Sequence, residues 1–249
     1  MNIHPTALIE DGAVIGPDCD IQAYAVIHRH ARLGKGVRVF PHAVIGGDPQ
    51  DLGFESSTPS TAEIGDHAVI REHVTIHRST KANGATVVGS HAYLMANAHV
   101  AHDCGVGDRV IMANAVLLAG HVTVGERSFI GGGAAIHQFV RIGAGVMVGG
   151  LSRITRDCPP FTMVAERDEL IGFNVVGLRR RGISKATLAE LKSCFASIYN
   201  QKADPVSNAG QLVQNAPPQS AEARAFVEFF LTGKRGFLRP RRQHNQASD

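Results

Sequence analysis

Residues 88–159 read VGSHAY LMANAH VAHDCG VGDRVI MANAVL LAGHVT VGERSF IGGGAA IHQFVR IGAGVM VGGLSR ITRDCP, twelve hexads whose first residue is always Val, Leu, Ile or Met. The fifth residue is always small, from Ala92, Ala98 and Cys104 to Ser152 and Cys158. Helices repeat near 3.6 residues and strands near 2, so a strict six suits neither a helical stripe nor an ordinary hairpin. It suits short strands separated by turns, each hexad sending one aliphatic and one small side chain inward. Such coils stack into a solenoid with a rise of about 4.8 Å per coil.

The same beat runs upstream through Ile3, Ile9, Ile15, Ile21, Ile27, Leu33, Val39 and Ile45. It is lost over 46–63, returns at Ile64, Ile70 and Ile76, and breaks again over 79–87. These interruptions read as loops leaving the solenoid, and long loops on rigid scaffolds usually carry function. The first contains Asp48-Pro49-Gln50-Asp51-Leu52. Beyond Pro159-Pro160 the beat stops. Ser184 is placed to cap a helix through about Asn200, and further helices are expected over Asn208–Asn215 and Ser220–Leu231. The organisation expected is a mainly β solenoid over 1–173, an α-helical domain over 174–238 and a disordered polar tail over 239–249.

Composition agrees. Hydrophobic residues make up 44% and charged residues 19%, as in a soluble globular protein, yet there is no Trp, 6% aromatics and 27 Gly. The core must therefore be built from small aliphatics. A net charge of +3 without interleaved aromatics argues against nucleic acid as a partner. No apolar run is long enough to span a bilayer, and Met1–Pro5 opens no signal-peptide core. The four cysteines show no CxxC spacing, and Cys19, Cys104 and Cys158 occupy fifth positions as core fillers. Free thiols and a cytoplasmic location are expected.

A solenoid core needs no histidine, yet there are 13. The hexads holding His102, His121 and His137 start 18 residues apart, so if a coil is three hexads they fall on successive coils at one edge, their side chains stacked, with His99 just before them. A single corner histidine is commonly a solvated turn residue, which is the reading for His28, His30, His42, His67 and His91. A convergence on one strip marks a candidate site. The basic runs are Arg179-Arg180-Arg181, Lys234-Arg235 and Arg239, Arg241 and Arg242. The first fits a phosphate or an acidic partner and the last fits solvated charge.

The hexads resemble those of the bacterial hexapeptide-repeat transferases, which implies a left-handed parallel β-helix and a homotrimer with sites between subunits. Within that group, Asn97-Ala98-His99-Val100-Ala101-His102-Asp103-Cys104 is similar to the active-site segment of the UDP-N-acetylglucosamine O-acyltransferases of lipid A synthesis. So are Ile76-His77-Arg78, Ala119-Gly120-His121-Val122, Ile136-His137-Gln138-Phe139, Val148-Gly149-Gly150 and Gly177-Leu178-Arg179-Arg180-Arg181-Gly182. The resemblance implies that His102 is the general base, Asp103 its partner and the Gly120 N–H the oxyanion donor. Asp51, His77, His99, His121, His137 and Gln138 would line the substrate pockets, and Asn174 and Arg180 would meet the nucleotide. Gly150 and, more loosely, Asp168 match positions that measure acyl-chain length. An acyl carrier protein thioester would be the co-substrate, a UDP-sugar the acceptor, and no cofactor or metal would be needed.

Three departures from the family pattern concern recognition. Gly53 and Phe54 follow Asp51-Leu52 where the family usually has a lysine. Val176 replaces an acidic residue, and Glu166–Glu169 replaces a Gly-Asn-Pro-Ala type segment. They leave open a variant acceptor such as a 3-amino UDP-sugar. A γ-type carbonic anhydrase, with zinc held by histidines of neighbouring chains, and a non-catalytic hexapeptide scaffold are the competing readings.

Overall fold

The computed structural model describes residues 1–200, 203–233 and 235–241. From residue 2 to 165 the chain forms strands of two to four residues that pair in parallel from one coil to the next. Where hexads are uninterrupted the offset is 18 residues: His99 pairs with Leu117, Leu117 with Ala135, and Ala135 with Arg153. Three hexads make one coil, and sheets of eleven, eight and seven strands form the three faces of a left-handed parallel β-helix. The chain visits the eleven-, eight- and seven-stranded faces in turn. The first edge therefore joins eleven to eight, the second joins eight to seven, and the third joins seven back to eleven.

Each hexad's first residue points into the prism. Ile27, Ile45, Ile76, Val100, Leu118 and Ile154 on the eight-stranded face are wholly buried. Each such side chain contributes about 1.5–3 kcal/mol relative to exposure. The small fifth residues fill the corners. Cys19, Cys104 and Cys158 are buried there as free thiols, and burial pushes the Cys104 thiol up to about 12.

The corners explain many of the histidines. Most turns place one residue near φ +60°, a region that disfavours most side chains but is enriched in Asn, Asp and His. His42, His67, His73, His91 and His121 all hold it, as do Asp18, Asn97 and Asp103.

The excursions are narrower than the loss of register suggests. Strands Val44–Gly47 and Thr61–Ile64 run outward beyond the hexad pattern, as does Ala85–Val88, leaving 48–60 and 78–84 irregular. The extra residues still find ladder partners, Ala85 with Thr61 and His77 with Gly47.

Above the last coil, strand Glu169–Phe173 turns back antiparallel to Thr162–Ala165. Helices α1 (Val175–Arg180), α2 (Lys185–Tyr199), α3 (Pro205–Asn215) and α4 (Ala221–Glu228) follow, with a 3₁₀ turn at Phe229–Leu231. Ser184 caps α2 as expected. α3 starts earlier than expected because Asp204 caps it and Pro205 fits its first turn. α1, six residues long, carries no apolar periodicity and is set by the Asn174 cap. A second core of Phe161, Leu178, Leu191, Ile198, Phe226 and Phe230 joins the helices to the prism. The expected disordered tail begins too early: Arg239–Pro240 form a strand beside Glu169–Leu170, so backbone pairing overrides their polarity. Residues 242–249, with Arg242, and the Lys234 of the basic runs lie outside the described residues. No helix among the described residues is long and apolar enough to cross a membrane.

Candidate active site

Both excursions leave the prism at the second edge, on the two coils directly below His102. Residues 48–60 link the eight-stranded face to the seven-stranded one, and residues 78–84 do so one coil higher. The irregular chain therefore gathers at the edge that also carries His102, His121 and His137.

Asp103 holds the left-handed corner position, φ 59°, which turns its carboxylate back toward its own neighbour. His102 Nδ1 lies 2.8 Å from Asp103 Oδ2. A carboxylate only accepts, so Nδ1 carries the proton and Nε2 is the free base. The second excursion fixes the carboxylate: Ser79 donates to Oδ1 at 2.5 Å and Thr80 to Oδ2 at 2.6 Å, while Thr86 accepts from the Asp103 N–H at 2.8 Å. Burial alone would raise this acid. The donors Ser79, Thr80 and His102 outweigh burial and hold it well below the usual carboxylate range. His102 itself is 8% exposed.

Gly120 lies one coil above His102. A Cβ there would sit 2.5 Å from Cε1 and 2.7 Å from Nε2 of the imidazole, so any side chain would displace the ring. The winding also leaves the Gly120 N–H without an acceptor among the described residues, whereas the flanking Ala119 and His121 donate to Ile136 and His102 carbonyls. A free N–H beside an imidazole nitrogen, with no side chain covering it, is suited to a developing oxyanion.

Around this pair lies a groove of about 530 Å³ lined by Gln50, Thr75, His99, Leu117, Ala135 and Gln138, among others. Thr75 and His99 lie on its lower coils, Leu117 and Ala135 on the coils above, and Gln138 at the top. His99 Nδ1 is 2.7 Å from Thr75 Oγ1, and its ring meets His77 edge-on at 4.8 Å. Burial, then the neighbouring His99 and His102, lowers His77 to about 4. Burial, then His102, lowers His99. Both are neutral polar walls near pH 7. His121 meets His102 edge-on at 5.1 Å and is also lowered by burial.

The expected stack of three histidines is corrected. His137 is on the same edge but at the start of its turn, and Phe139 takes the stacking position over His121, 4.5 Å between centroids. His137 Nδ1 instead lies 3.2 Å from Arg235 Nη2. Asp51 is exposed on the first excursion, accepting from the Gly53 N–H at 2.9 Å, close enough for its charge to act on His121.

Other residues do not join this cluster within one chain. Gly150 is on the first edge, between strands Met147–Val148 and Arg153–Ile154. Asn174 caps α1 and donates to the Gly145 carbonyl on the third edge. Arg180 is exposed at the end of α1, while Arg181 folds back toward Glu126 at 3.7 Å and Phe161. Asp168 is on the second edge but is bound by the Thr155 N–H and hydroxyl at 2.6 and 2.5 Å, four coils or about 19 Å above His102.

His102, Asp103 and His121 are also the one His/Cys/Asp/Glu group among the described residues whose ligand atoms approach within 4.8 Å, so they could hold a metal ion. Asp103 Oδ2 already accepts from His102 and Thr80, which a metal would have to displace. Sequence reasoning missed Gln50, Ser79, Thr80 and Thr86. The signal available was that Gln50 lies in the first interruption and Ser79, Thr80 and Thr86 in the second.

Residues 157–238 match the family described as UDP-N-acetylglucosamine O-acyltransferase, domain 2. The chain is 38% identical to the acyl-[acyl-carrier-protein]–UDP-N-acetylglucosamine O-acyltransferase of Campylobacter concisus, over 94% of this chain and 96% of that one. It is 40% identical to that of Rhizobium johnstonii, over 84% of each chain. The solved UDP-N-acetylglucosamine acyltransferase from Bacteroides fragilis superposes with a TM-score of 0.86 at 36% identity, covering 95% of this chain and all of the other.

Proposed function

Because the chain belongs to the acyl-[acyl-carrier-protein]–UDP-N-acetylglucosamine O-acyltransferase family, we propose that it transfers an acyl chain from acyl carrier protein to the 3-position of UDP-N-acetylglucosamine, the first step of lipid A synthesis. The observation that carries this is the His102–Asp103 pair set against a bare glycine at the mouth of a half-apolar groove.

The reaction follows from that geometry. Nε2 of His102 takes the proton of the sugar hydroxyl as its oxygen attacks the thioester carbonyl. The new C–O bond forms, and the carbonyl oxygen gains charge that the Gly120 N–H meets. Asp103, anchored by Ser79 and Thr80, stabilises the imidazolium at Nδ1 and holds its tautomer. When the C–S bond breaks, His102 returns the proton to the carrier's thiolate. The acceptor is itself the nucleophile, so no enzyme-bound acyl intermediate and no cofactor are invoked. Leu117 and Ala135 offer an apolar bed for the acyl chain, and Thr75, His99 and Gln138 offer polar partners for the sugar.

A homotrimer, with sites shared between subunits, is part of this reading. Gly150, Asn174 and Arg180 belong to edges and helices that a single prism turns away from His102, so their expected roles in chain measurement and nucleotide binding need a neighbouring copy. The cytoplasm, where acyl carrier thioesters are made, is the compartment proposed. Metal-free chemistry is supported by the Asp103 oxygen already committed to His102. About one zinc per site by elemental analysis would revive the carbonic anhydrase reading.

The test is product formation from 3-hydroxyacyl carrier proteins of several lengths with UDP-N-acetylglucosamine or its 3-amino analogue, read by mass. A His102→Ala variant should lose about 10²–10⁴ in kcat/KM. Undiminished product from that variant sinks the reading.

A further inference from the structure

Arg78 has the largest side chain wholly buried among the described residues, 1% exposed. A buried guanidinium must have its donors satisfied. It stands at the root of the second excursion, yet its hydrogen bonds go to the first. Nε donates to Asp48 Oδ1 at 2.9 Å, Nη2 to the Ser56 carbonyl at 2.7 Å, and Nη1 to the Thr58 carbonyl at 2.5 Å and to Ser60 Oγ at 3.3 Å. The Phe54 ring covers its face at 4.7 Å. Ser56 in turn donates to the other Asp48 oxygen at 2.7 Å, closing the loop on itself.

These anchors bracket residues 49–55, the part of the loop that reaches the groove. Gln50 lines the groove with His102, and Asp51 lies near His121. Among the described residues, neither side chain hydrogen-bonds to the prism. Asp51 accepts only from Gly53 in its own turn. The position of both residues therefore depends on what holds the loop's two limbs. Phe54 is a cover for Arg78 and not a group presented to the groove.

We propose that Arg78 is a positioning residue for the acceptor sugar: its guanidinium fixes the 48–60 loop so that Gln50 and Asp51 face the groove at His102, without touching the acyl donor. This rests on the acyl-transfer reading of the same site. Arginine is required because one planar fork meets acceptors in three directions while stacking on a ring. A lysine ammonium is a single point on a flexible stem.

The experiment compares wild type, Arg78→Lys and Phe54→Leu in two ways. Kinetics should show the KM for UDP-N-acetylglucosamine rising about 5- to 20-fold in Arg78→Lys and about 2- to 3-fold in Phe54→Leu. The KM for acyl carrier protein and kcat should stay within about 2-fold. Amide hydrogen exchange should quicken over 49–58 in both variants, with strand 75–77 unchanged. Phe54 is half-buried on the loop and outside both cores, so its variant keeps the test informative if Arg78→Lys folds poorly. A fall in kcat at unchanged KM, an equal rise in both KM values, or unaltered exchange over 49–58 overturns the proposal. If wild type turns over no UDP-sugar, the acyl-transfer reading fails by itself, and the exchange data still decide whether Arg78 holds the loop.

Discussion

Stacked rings climb all three edges of this prism, His67 and His91 forming a short pair on the third, and only the second edge's column sits among chemistry. On the first edge Tyr24, His42 and His73 stack face to face, centroids 5.2 and 5.0 Å apart and planes within 10° and 4°. All three are corner residues near φ +60° and exposed to solvent. On the second edge His121 holds the same corner position and stacks on Phe139, but His102 meets it edge-on, 88° between planes. His102 comes one residue before the corner. The residue above it is a glycine, and the corner residue after it is an aspartate fastened by hydroxyls from an interruption. A histidine at a corner serves the backbone. A histidine beside an anchored carboxylate and under a bare glycine is free to move a proton.

The sharpest break of that comparison uses two aspartates with the same backbone. Asp103 and Asp18 sit at φ 59° and 61°, but Asp18 is exposed, with the Lys35 ammonium 3.9 Å away. Asp103→Asn keeps the shape, yet its amide presents an N–H or a weaker acceptor to His102 and favours the wrong tautomer. It should lose about 10²–10⁴ in kcat/KM. Asp18→Asn should leave steady-state rates within about 2-fold. Equal, small effects from both would mean that the anchored carboxylate is not part of the catalytic unit.

This contrast also marks how far the sequence could be read. The hexad beat pointed to the prism, because few folds bury one aliphatic side chain every six residues, while three hexads per coil, and with it the shared edge of His102, His121 and His137, came from the resemblance. It could not tell a corner histidine from a catalytic one, since both fall at fixed places in the hexad. That depended on resemblance. Nor did it show that Phe139, and not His137, covers His121, because the two-residue offset within the turn matters more than the coil number. Ser79, Thr80 and Arg78 were illegible for a different reason. They act across an irregular loop, where no period predicts which side chain meets which. The strand at Arg239–Pro240 was hidden by its polar composition, since its pairing is through the backbone.

A next, smaller effect is expected from two glycines. At Gly120 an added methyl collides with the imidazole, so Gly120→Ala should lower kcat/KM by about 10- to 100-fold with the fold intact. Gly210, inside α3, has nothing within 4 Å of a built Cβ, and Gly210→Ala should stabilise the protein by about 0.5–1 kcal/mol through helix propensity alone. Thermal melts and initial rates on both variants check this. A Gly120→Ala enzyme with wild-type rates would show that the His102 ring position is not critical.

Acid exposes the same contrast as stability. His77 is held down to about 4 by burial, while an unfolded imidazole takes its proton near 6.5. Between those values the unfolded chain binds a proton that the folded one refuses, so stability falls as pH drops from 6.5 toward about 4. His99 and His121, also lowered by burial, act in the same direction. Asp103 acts in the same direction but in a lower pH window. Its carboxylate is depressed in the fold, so its contribution is lost only below the unfolded carboxylate value of about 3.9. Melting temperature should fall by about 5 °C between pH 7 and 4.5, and His77→Leu should flatten that slope. A slope unchanged in His77→Leu would place the acid sensitivity outside the site.

The smallest effect is expected on the first edge. Asparagine tolerates the left-handed corner about as well as histidine, so His42→Asn removes two ring stacks and leaves the backbone unstrained. Those rings are solvent-exposed, and surface changes of this kind usually stay within about 0.5 kcal/mol, or about 1–2 °C in a chain of this size. Rates should match wild type. If His42→Asn instead slowed acyl transfer, the first-edge column would have to lie at a working surface, and the distinction between corner histidines and His102 would have to be redrawn around the neighbouring copy that covers it.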